Sequence, residues 1–134
     1  MSLLEFIVPG TPISSGASGK SKTKWRAKVS AAANSSLPAD YAVVADPVRA
    51  TVVYFYVDTA LDLDNILKPI LDALNGLVYI DDFQVANIVA AKRDVAGSYV
   101  LTDASPVVVG QLAEANGGDF VFVALDLASM GTLT

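Results

Sequence analysis

Apolar residues recur along this chain with two different spacings, and the alternating spacing marks the strands. Residues 48–57 alternate in part and are rich in Val, Tyr and Phe, which favour pleated sheets. Residues 3–8 are apolar at most positions and stop at a proline–glycine turn. The chain therefore predicts strands over residues 3–8, 48–57, 77–80, 85–95, 99–102 and 120–127, with a turn at 96–98 before the fifth.

The helical spacing of about 3.6 residues predicts three helices, over residues 23–34, 66–74 and 106–115. Asn65 suits the N-cap of the second helix, and Pro69 falls at the end of its first turn. Gly76 follows the end of that helix as a C-terminal stop. Ser105 suits the N-cap of the third helix.

The order of these elements is strand, helix, strand, helix, strands, helix and strand. This order predicts an α+β fold with a mixed β-sheet packed against helices. The chain has 134 residues, of which 53% are hydrophobic, so it is long enough to bury one sizeable core. We therefore expect residues 1–134 to form a single domain.

The absence of cysteine and histidine narrows the possible chemistry. Disulfides, thiolate nucleophiles, Ser-His-Asp triads and imidazole ligands are all excluded, so acid–base work falls to Asp, Glu, Lys, Tyr or a metal site. The first residues lack the pattern of a signal peptide, and no apolar run approaches the ~20 residues of a membrane span. We expect a cytoplasmic protein that does not contact a membrane.

Charge is distributed unevenly along the chain. The net charge of −5 argues against a protein that grips nucleic acid over its whole surface. One segment is nevertheless basic, with Lys20, Lys22, Lys24, Arg26 and Lys28. These side chains suit contacts with DNA phosphates, and a solvated helix face is the alternative. The apolar face of the same helix is expected to carry Trp25, Val29 and Ala32 or Ala33.

Residues 14–21 come close to a nucleotide-binding P-loop. That motif needs glycine where Ser14 stands, and it follows its strand directly, whereas this loop begins several residues after Val8. A flexible loop over residues 10–22 is the favoured interpretation.

Six of the 14 acidic residues lie in one short stretch: Asp58, Asp62, Asp64, Asp72, Asp81 and Asp82. Their close approach calls for a cation, protons or solvent to offset the repulsion. Asp62 and Asp64 are two residues apart, so in an extended segment their side chains point the same way and can share one cation. The alternative is that these residues cap helices and turns, which suits Asp58 and Asp72.

Lys68 is the only basic residue in this stretch. One helical turn separates it from Asp64 and from Asp72, so the three could line one face. If the fold brings Asp82 back to the first pair, three carboxylates form a hard oxygen site for Mg²⁺ or Mn²⁺ and not for zinc. An EF-hand is excluded because Leu67 stands where its loop needs glycine.

The acidic stretch resembles the signature of the RusA family of Holliday-junction resolvases. The matching positions are Asp62-x-Asp64-Asn65-x-x-Lys68, then Asp72-Ala73-Leu74-Asn75-Gly76 and Asp81-Asp82-x-Gln84-Val85. Nearer the N-terminus, Ile7-x-Pro9-Gly10-x-Pro12 is similar to the strand and proline turn of the family, and Lys24-Trp25 with Val29 is similar to its first helix. The resemblance implies a RusA-like α+β fold.

The resemblance also implies roles for individual residues. It implies that Asp62, Asp64 and Asp82 are catalytic and bind Mg²⁺, and that Lys68 is needed for cleavage. It further implies supporting roles for Asn65, Asp81 and Gln84.

The activity implied by the resemblance is symmetric nicking of four-way DNA junctions by a homodimer, in recombination and repair. Two alternatives stay open. One is a branched-DNA-binding protein without nuclease activity, and the other is a metal nuclease that acts on flaps or forks. The sequence departs from the family pattern after Pro12, where cations are delayed to Lys20.

Overall fold

The strand nearest the C-terminus lies inside the sheet. The computed structural model describes residues 3–58, 61–95, 106–113 and 118–128. In these ranges β1 (Leu4–Pro9), β2 (Val48–Tyr56), β3 (Val85–Asp94) and β4 (Phe120–Leu127) form one sheet in the order β1-β4-β2-β3. β4 is antiparallel to β1 and β2, whereas β2 and β3 are parallel. The sheet is mixed, which confirms the predicted α+β fold.

Helices cover both faces of this sheet. α1 (Gly19–Ser36) and α2 (Leu63–Leu74) pack together on one face, where Trp25, Val29 and Ala33 of α1 are buried as predicted. α3 (Pro106–Leu112) buries Val108 on the other face, against Phe120 and neighbouring apolar residues. None of the helices in the described ranges is long and apolar enough to cross a membrane.

β4 is buried on both sides because it lies between two strands and two layers of helices. Val121, Val123 and Leu125 face α1 and α2. Phe120 and Phe122 face α3. The alternating pattern predicted for residues 120–127 is therefore confirmed, with the bounds of the strand unchanged.

Both long helices begin earlier than the sequence pattern predicts. α1 begins at Gly19 because the Ser18 side chain accepts a hydrogen bond from the N–H of Ser21 and caps the helix. α2 begins at Leu63 with Asp62 as its N-cap, so the prediction of Asn65 as the cap is wrong. Pro69 consequently lies in the interior of α2 and not at the end of its first turn.

The predicted strand at residues 77–80 is wrong. This segment makes isolated bridges at Tyr79 and leads into a 3₁₀ turn, Asp82–Gln84. Gly76 takes a φ of 81°, which suits the glycine predicted after the helix. The turn at 96–98, the strand at 99–102 and the N-cap Ser105 lie outside the described residues.

Candidate active site

One β–α–β unit carries the acidic stretch. β2, α2 and β3 follow one another along the chain, and β2 and β3 are parallel. α2 must therefore run back along the sheet between them. Its first turn lies near the end of β2, and its last turn lies near the start of β3.

Charged residues of α2 line a groove beside β3. Asp64, Lys68 and Asp72 follow one another at intervals of four residues, and together with Asp82 they line a cavity of about 300 Å³. The remaining lining is apolar and consists of Leu67, Leu71, Val85 and Ile88. The prediction that the first three share one face is therefore confirmed.

Asp72 is neither a cap nor a turn residue, because it lies within α2. Its Oδ1 atom is 3.3 Å from Nζ of Lys68, and the Lys68 side chain is 70% exposed. An exposed pair of this kind, one helical turn apart, stabilises a helix by only about 0.3–0.5 kcal/mol. The ammonium of Lys68 is therefore held loosely and stays available to a ligand in the groove.

The segment after α2 positions Asp82. Asp82 Oδ1 accepts a hydrogen bond from Nδ2 of Asn75 at 3.0 Å. The hydroxyl of the buried Tyr79 donates to the carbonyl of Leu71 at 2.9 Å. Burial, together with the negative charges of Asp82 and Asp72, raises the pKa of Tyr79 above its usual range. Sequence reasoning gave Asn75 no role, although it lies within the motif.

Gln84 fixes the 3₁₀ turn that carries Asp82. Its side chain is 4% exposed and uses its whole hydrogen-bonding capacity. Oε1 accepts from the N–H groups of Ile80 at 2.7 Å and Asp81 at 2.9 Å, and Nε2 donates to the carbonyls of Val44 at 2.9 Å and Asp46 at 3.0 Å. The Asp81 side chain accepts from the N–H of Asp82 at 2.7 Å. The predicted support by Asp81 and Gln84 thus has a structural basis.

The start of α2 differs from the extended segment that the sequence suggested. Asp62 is extended and its side chain makes no capping hydrogen bond, whereas Asp64 and Asn65 already lie in the helix. Because Pro69 has no N–H, the carbonyl of Asn65 lacks its usual partner in the helix. The N–H of Ser15 donates to that carbonyl at 2.7 Å and so holds the loop before α1 against α2.

Asp64 and Asp82 lie toward opposite ends of the groove. Asp82 bonds to Asn75, which is separated from Asp64 by roughly 16 Å along the axis of α2 at the usual rise per residue. Asp62 is not among the residues that line the groove. In the described part of the chain, no three His, Cys, Asp or Glu side chains are placed to hold a metal ion. One chain therefore brings Asp64, Lys68 and Asp82 to one groove without gathering three carboxylates at one point.

Two of the five cations of α1 line a smaller cavity that shares Lys68 and Asp72 with the groove. Lys22 and Arg26 are half-buried and, with Lys68 and Asp72, line a cavity of about 70 Å³. Nζ of Lys22 also donates to the carbonyl of Ser15 at 3.2 Å. The basic helix and the acidic stretch thus meet at Lys68.

The remaining cations point elsewhere. Lys24 and Lys28 are exposed and line a different cavity. Lys20 is exposed in the first turn of α1. The basic segment therefore has two distinct sides, which the spacing of its residues on a helix explains.

A sequence model of a known family, described as endodeoxyribonuclease RusA, matches residues 17–100 of this chain. The match covers α1, β2, α2 and β3, and so it includes every residue of the groove. No curated protein matches the chain.

Proposed function

Because the chain belongs to the RusA family of endodeoxyribonucleases, we propose that it resolves four-way DNA junctions by Mg²⁺-dependent hydrolysis of phosphodiesters, in recombination and repair. The observation that supports this best is the shared groove of Asp64, Lys68 and Asp82. A surface that only bound DNA would gain nothing from carboxylates clustered where phosphates lie.

The donor atoms suit Mg²⁺, with Mn²⁺ as a close substitute, because carboxylate oxygens are the hard ligands that both ions prefer. We propose Asp62, Asp64 and Asp82 as the ligands. Within the described residues of one chain these three carboxylates are not gathered around one point. Mg²⁺ would supply positive charge against the phosphate.

Lys68 acts on the phosphate side of the reaction. Its ammonium lies in the middle of the groove, between Asp64 and the pair of Asp72 and Asp82. A phosphodiester bound there gains negative charge on its oxygens during hydrolysis, and a nearby cation stabilises that charge. Lys22 and Arg26, on the adjoining wall, hold the same strand by its phosphates.

Asp64→Asn tests this proposal because it removes one carboxylate charge without changing the size of the side chain. We expect loss of cleavage by at least 100-fold, the usual scale for groups that act on the transition state, with junction binding retained. The assay is a gel that separates nicked from intact synthetic four-way junctions, in Mg²⁺ and in EDTA. Wild-type cleavage should stop in EDTA.

Asp40→Asn is the matched control, because Asp40 is exposed in a turn outside the groove and undergoes the same change of charge. It should cleave at the wild-type rate. If Asp64→Asn also cleaved at that rate, the assignment of the groove would be wrong. Binding by the wild type without nicking in either buffer would favour the alternative of an inactive branched-DNA-binding protein.

A homodimer follows from the substrate, because a four-way junction presents two equivalent strands and a two-fold symmetric enzyme can reach both. Exposed apolar residues near the groove offer a surface for a second copy: Ile80, Phe83 and Ile88. We also propose that the enzyme acts in the cytoplasm. A panel of flaps and forks tests whether the junction is preferred to other branched DNA.

A further inference from the structure

A second cavity lies on the other side of α1 from the groove. It has a volume of about 330 Å³ and is lined by Thr11, Ile13, Ser21, Lys24, Trp25 and Lys28. Two ammonium groups and two hydroxyls therefore border a wall made of one aliphatic and one aromatic side chain. No residue is shared with the lining of the groove.

The ammonium of Lys28 lies between the Trp25 ring and the backbone at Gly10. Its Nζ atom lies 5.9 Å from the centre of the Trp25 ring, within range of a cation–π contact. A Cβ added at Gly10 would lie 2.6 Å from the same Nζ, so the ammonium lies close to the backbone of Gly10. Gly10 has a φ of 111°, which other residues rarely adopt.

The charges of both lysines are uncompensated within the described residues, where the single ion pair joins Lys68 to Asp72. Asp119, the carboxylate bonded to Thr11 of the lining, also accepts from Tyr54 and the backbone N–H of Val57. It is therefore occupied by other donors. Two ammonium groups without an ion-pair partner in the described part of the chain, beside the hydroxyl of Ser21, suit an anion with several oxygens.

Trp25 adds a second feature that points to a ligand. The residue is 4% exposed, and its indole N–H has no hydrogen-bond partner within the described residues. Buried donors of this kind are usually paired, so an unpaired one in the wall of a cationic cavity is exceptional.

We propose that this cavity is a second phosphate-binding site, which holds a DNA phosphate remote from the one that is cleaved. Its identity as a DNA phosphate rests on the proposed function. Contacts of this type fix the orientation of the duplex and carry no sequence information.

Trp25 is the only tryptophan of the chain, so its fluorescence reports directly on the cavity. The protein is titrated in EDTA with inorganic phosphate, and then with a four-way junction that stays uncut under these conditions. We expect saturable changes in Trp25 emission for both probes. In Lys28→Gln the change with phosphate should be lost, and junction binding should weaken roughly 10-fold, as for the loss of one charged hydrogen bond.

Lys92→Gln is the matched control, because it removes the same charge from an exposed position of β3 outside the cavity. It should keep the wild-type response to phosphate, and Lys28→Arg should largely restore it. An unchanged response in Lys28→Gln, or equal losses in Lys92→Gln and Lys28→Gln, would overturn the inference. A wild type that shows the phosphate response without cutting junctions would contradict the proposed function alone.

Discussion

Gln84 is the one buried polar residue of the core in the described part of the chain. Its four hydrogen bonds join the 3₁₀ turn to the segment of Val44 and Asp46, which precedes β2. The turn that carries Asp82 is thereby tied to the same unit that carries Asp64. A single amide side chain thus sets the relative position of two halves of the groove.

Gln84→Met keeps the length of the side chain but leaves two N–H groups and two carbonyls without partners. Each buried group left unpaired costs about 1–3 kcal/mol, although water relieves part of this. We expect the free energy of unfolding to fall by about 3 kcal/mol, measured by urea denaturation. Gln111→Met on α3, at a half-buried position, is the control. A loss below about 0.5 kcal/mol, the scale of a neutral surface change, would contradict this role for Gln84.

Single residues differed in how far their roles could be predicted. The common face of Asp64, Lys68 and Asp72 could be predicted from their four-residue spacing, because contacts along one helix are local. The partners of Gln84 could not be predicted, since Val44 is separated from it by 40 positions in the sequence. Asn75 could have been found only from the motif, because its bond to Asp82 spans an irregular turn.

Among the elements, α2 shows how a missing hydrogen bond can organise a neighbouring loop. Because Pro69 has no N–H, the carbonyl of Asn65 lacks a partner within the helix, and the N–H of Ser15 donates to it. The sequence predicts a flexible loop over residues 10–22, because glycine and serine are common in loops. The docking of Ser15 and the Ser18 cap instead fix where α1 begins, and with it the direction of its two basic sides.

The ends of three strands meet at Asp119. Its carboxylate accepts from the hydroxyl of Tyr54 at 2.7 Å, from the N–H of Val57 at 2.8 Å and from the hydroxyl of Thr11 at 3.1 Å. Its carbonyl accepts from the N–H of Gly10 at 2.7 Å. Sequence reasoning missed Asp119, because no local pattern distinguishes it from a turn residue.

Tyr54 gives this cluster a pH dependence. Burial, followed by the hydrogen bond and the negative charge of Asp119, raises the pKa of Tyr54 above its unfolded value of about 10. The folded state therefore keeps a proton that the unfolded state loses. The stability linked to this proton is fully present below about pH 10 and is lost as the pH rises through the folded pKa.

Tyr54→Phe should separate the two effects. At pH 7 the variant is expected to lose about 1 kcal/mol, the usual contribution of one hydrogen bond. Above about pH 10 the difference between wild type and variant should shrink, because only the wild type carries the proton-linked loss. Urea denaturation at several pH values measures this difference. A constant difference across the range would contradict the linkage.

At the scale of the molecule, the spread of the groove along α2 has a consequence for assembly. Within the described residues of one chain, no three carboxylates are placed to hold an ion, while exposed apolar residues such as Phe83 and Ile88 lie near the groove. A second copy that docks there can bring its own Asp82 to the first turn of α2. The complete set of carboxylates would then come from two chains.

Mixing two inactive variants tests this arrangement. Consider a dimer of one Asp64→Asn chain and one Asp82→Asn chain. If each site takes Asp64 from one chain and Asp82 from the other, one of the two sites is intact. If each site lies within a single chain, both sites are damaged. After subunit exchange we expect about one quarter of the wild-type nicking rate, since half of the dimers of a symmetric pair are mixed. Each variant alone is the control and should stay inactive. A mixture as inactive as its components would contradict shared sites.

The order of elements could be predicted from the sequence, but the order of strands in the sheet could not. Residues 3–8 and 120–127 each have a clear strand pattern, yet nothing in either pattern specifies that Leu4 pairs with Leu125. Pairing over such a distance depends on the whole fold. For the same reason the sequence did not predict that Lys22 and Arg26 of α1 line a cavity together with Lys68.

The inside position of β4 also affects how the protein is made. Until this strand emerges from the ribosome, β1 has no neighbour and one edge of β2 is unpaired. At the usual speed of translation, the residues from the end of β3 to the end of β4 take roughly 2–7 s to synthesise. For that interval the nascent chain presents an open strand edge beside apolar side chains. Chaperones that cover such edges therefore have a defined period in which to act.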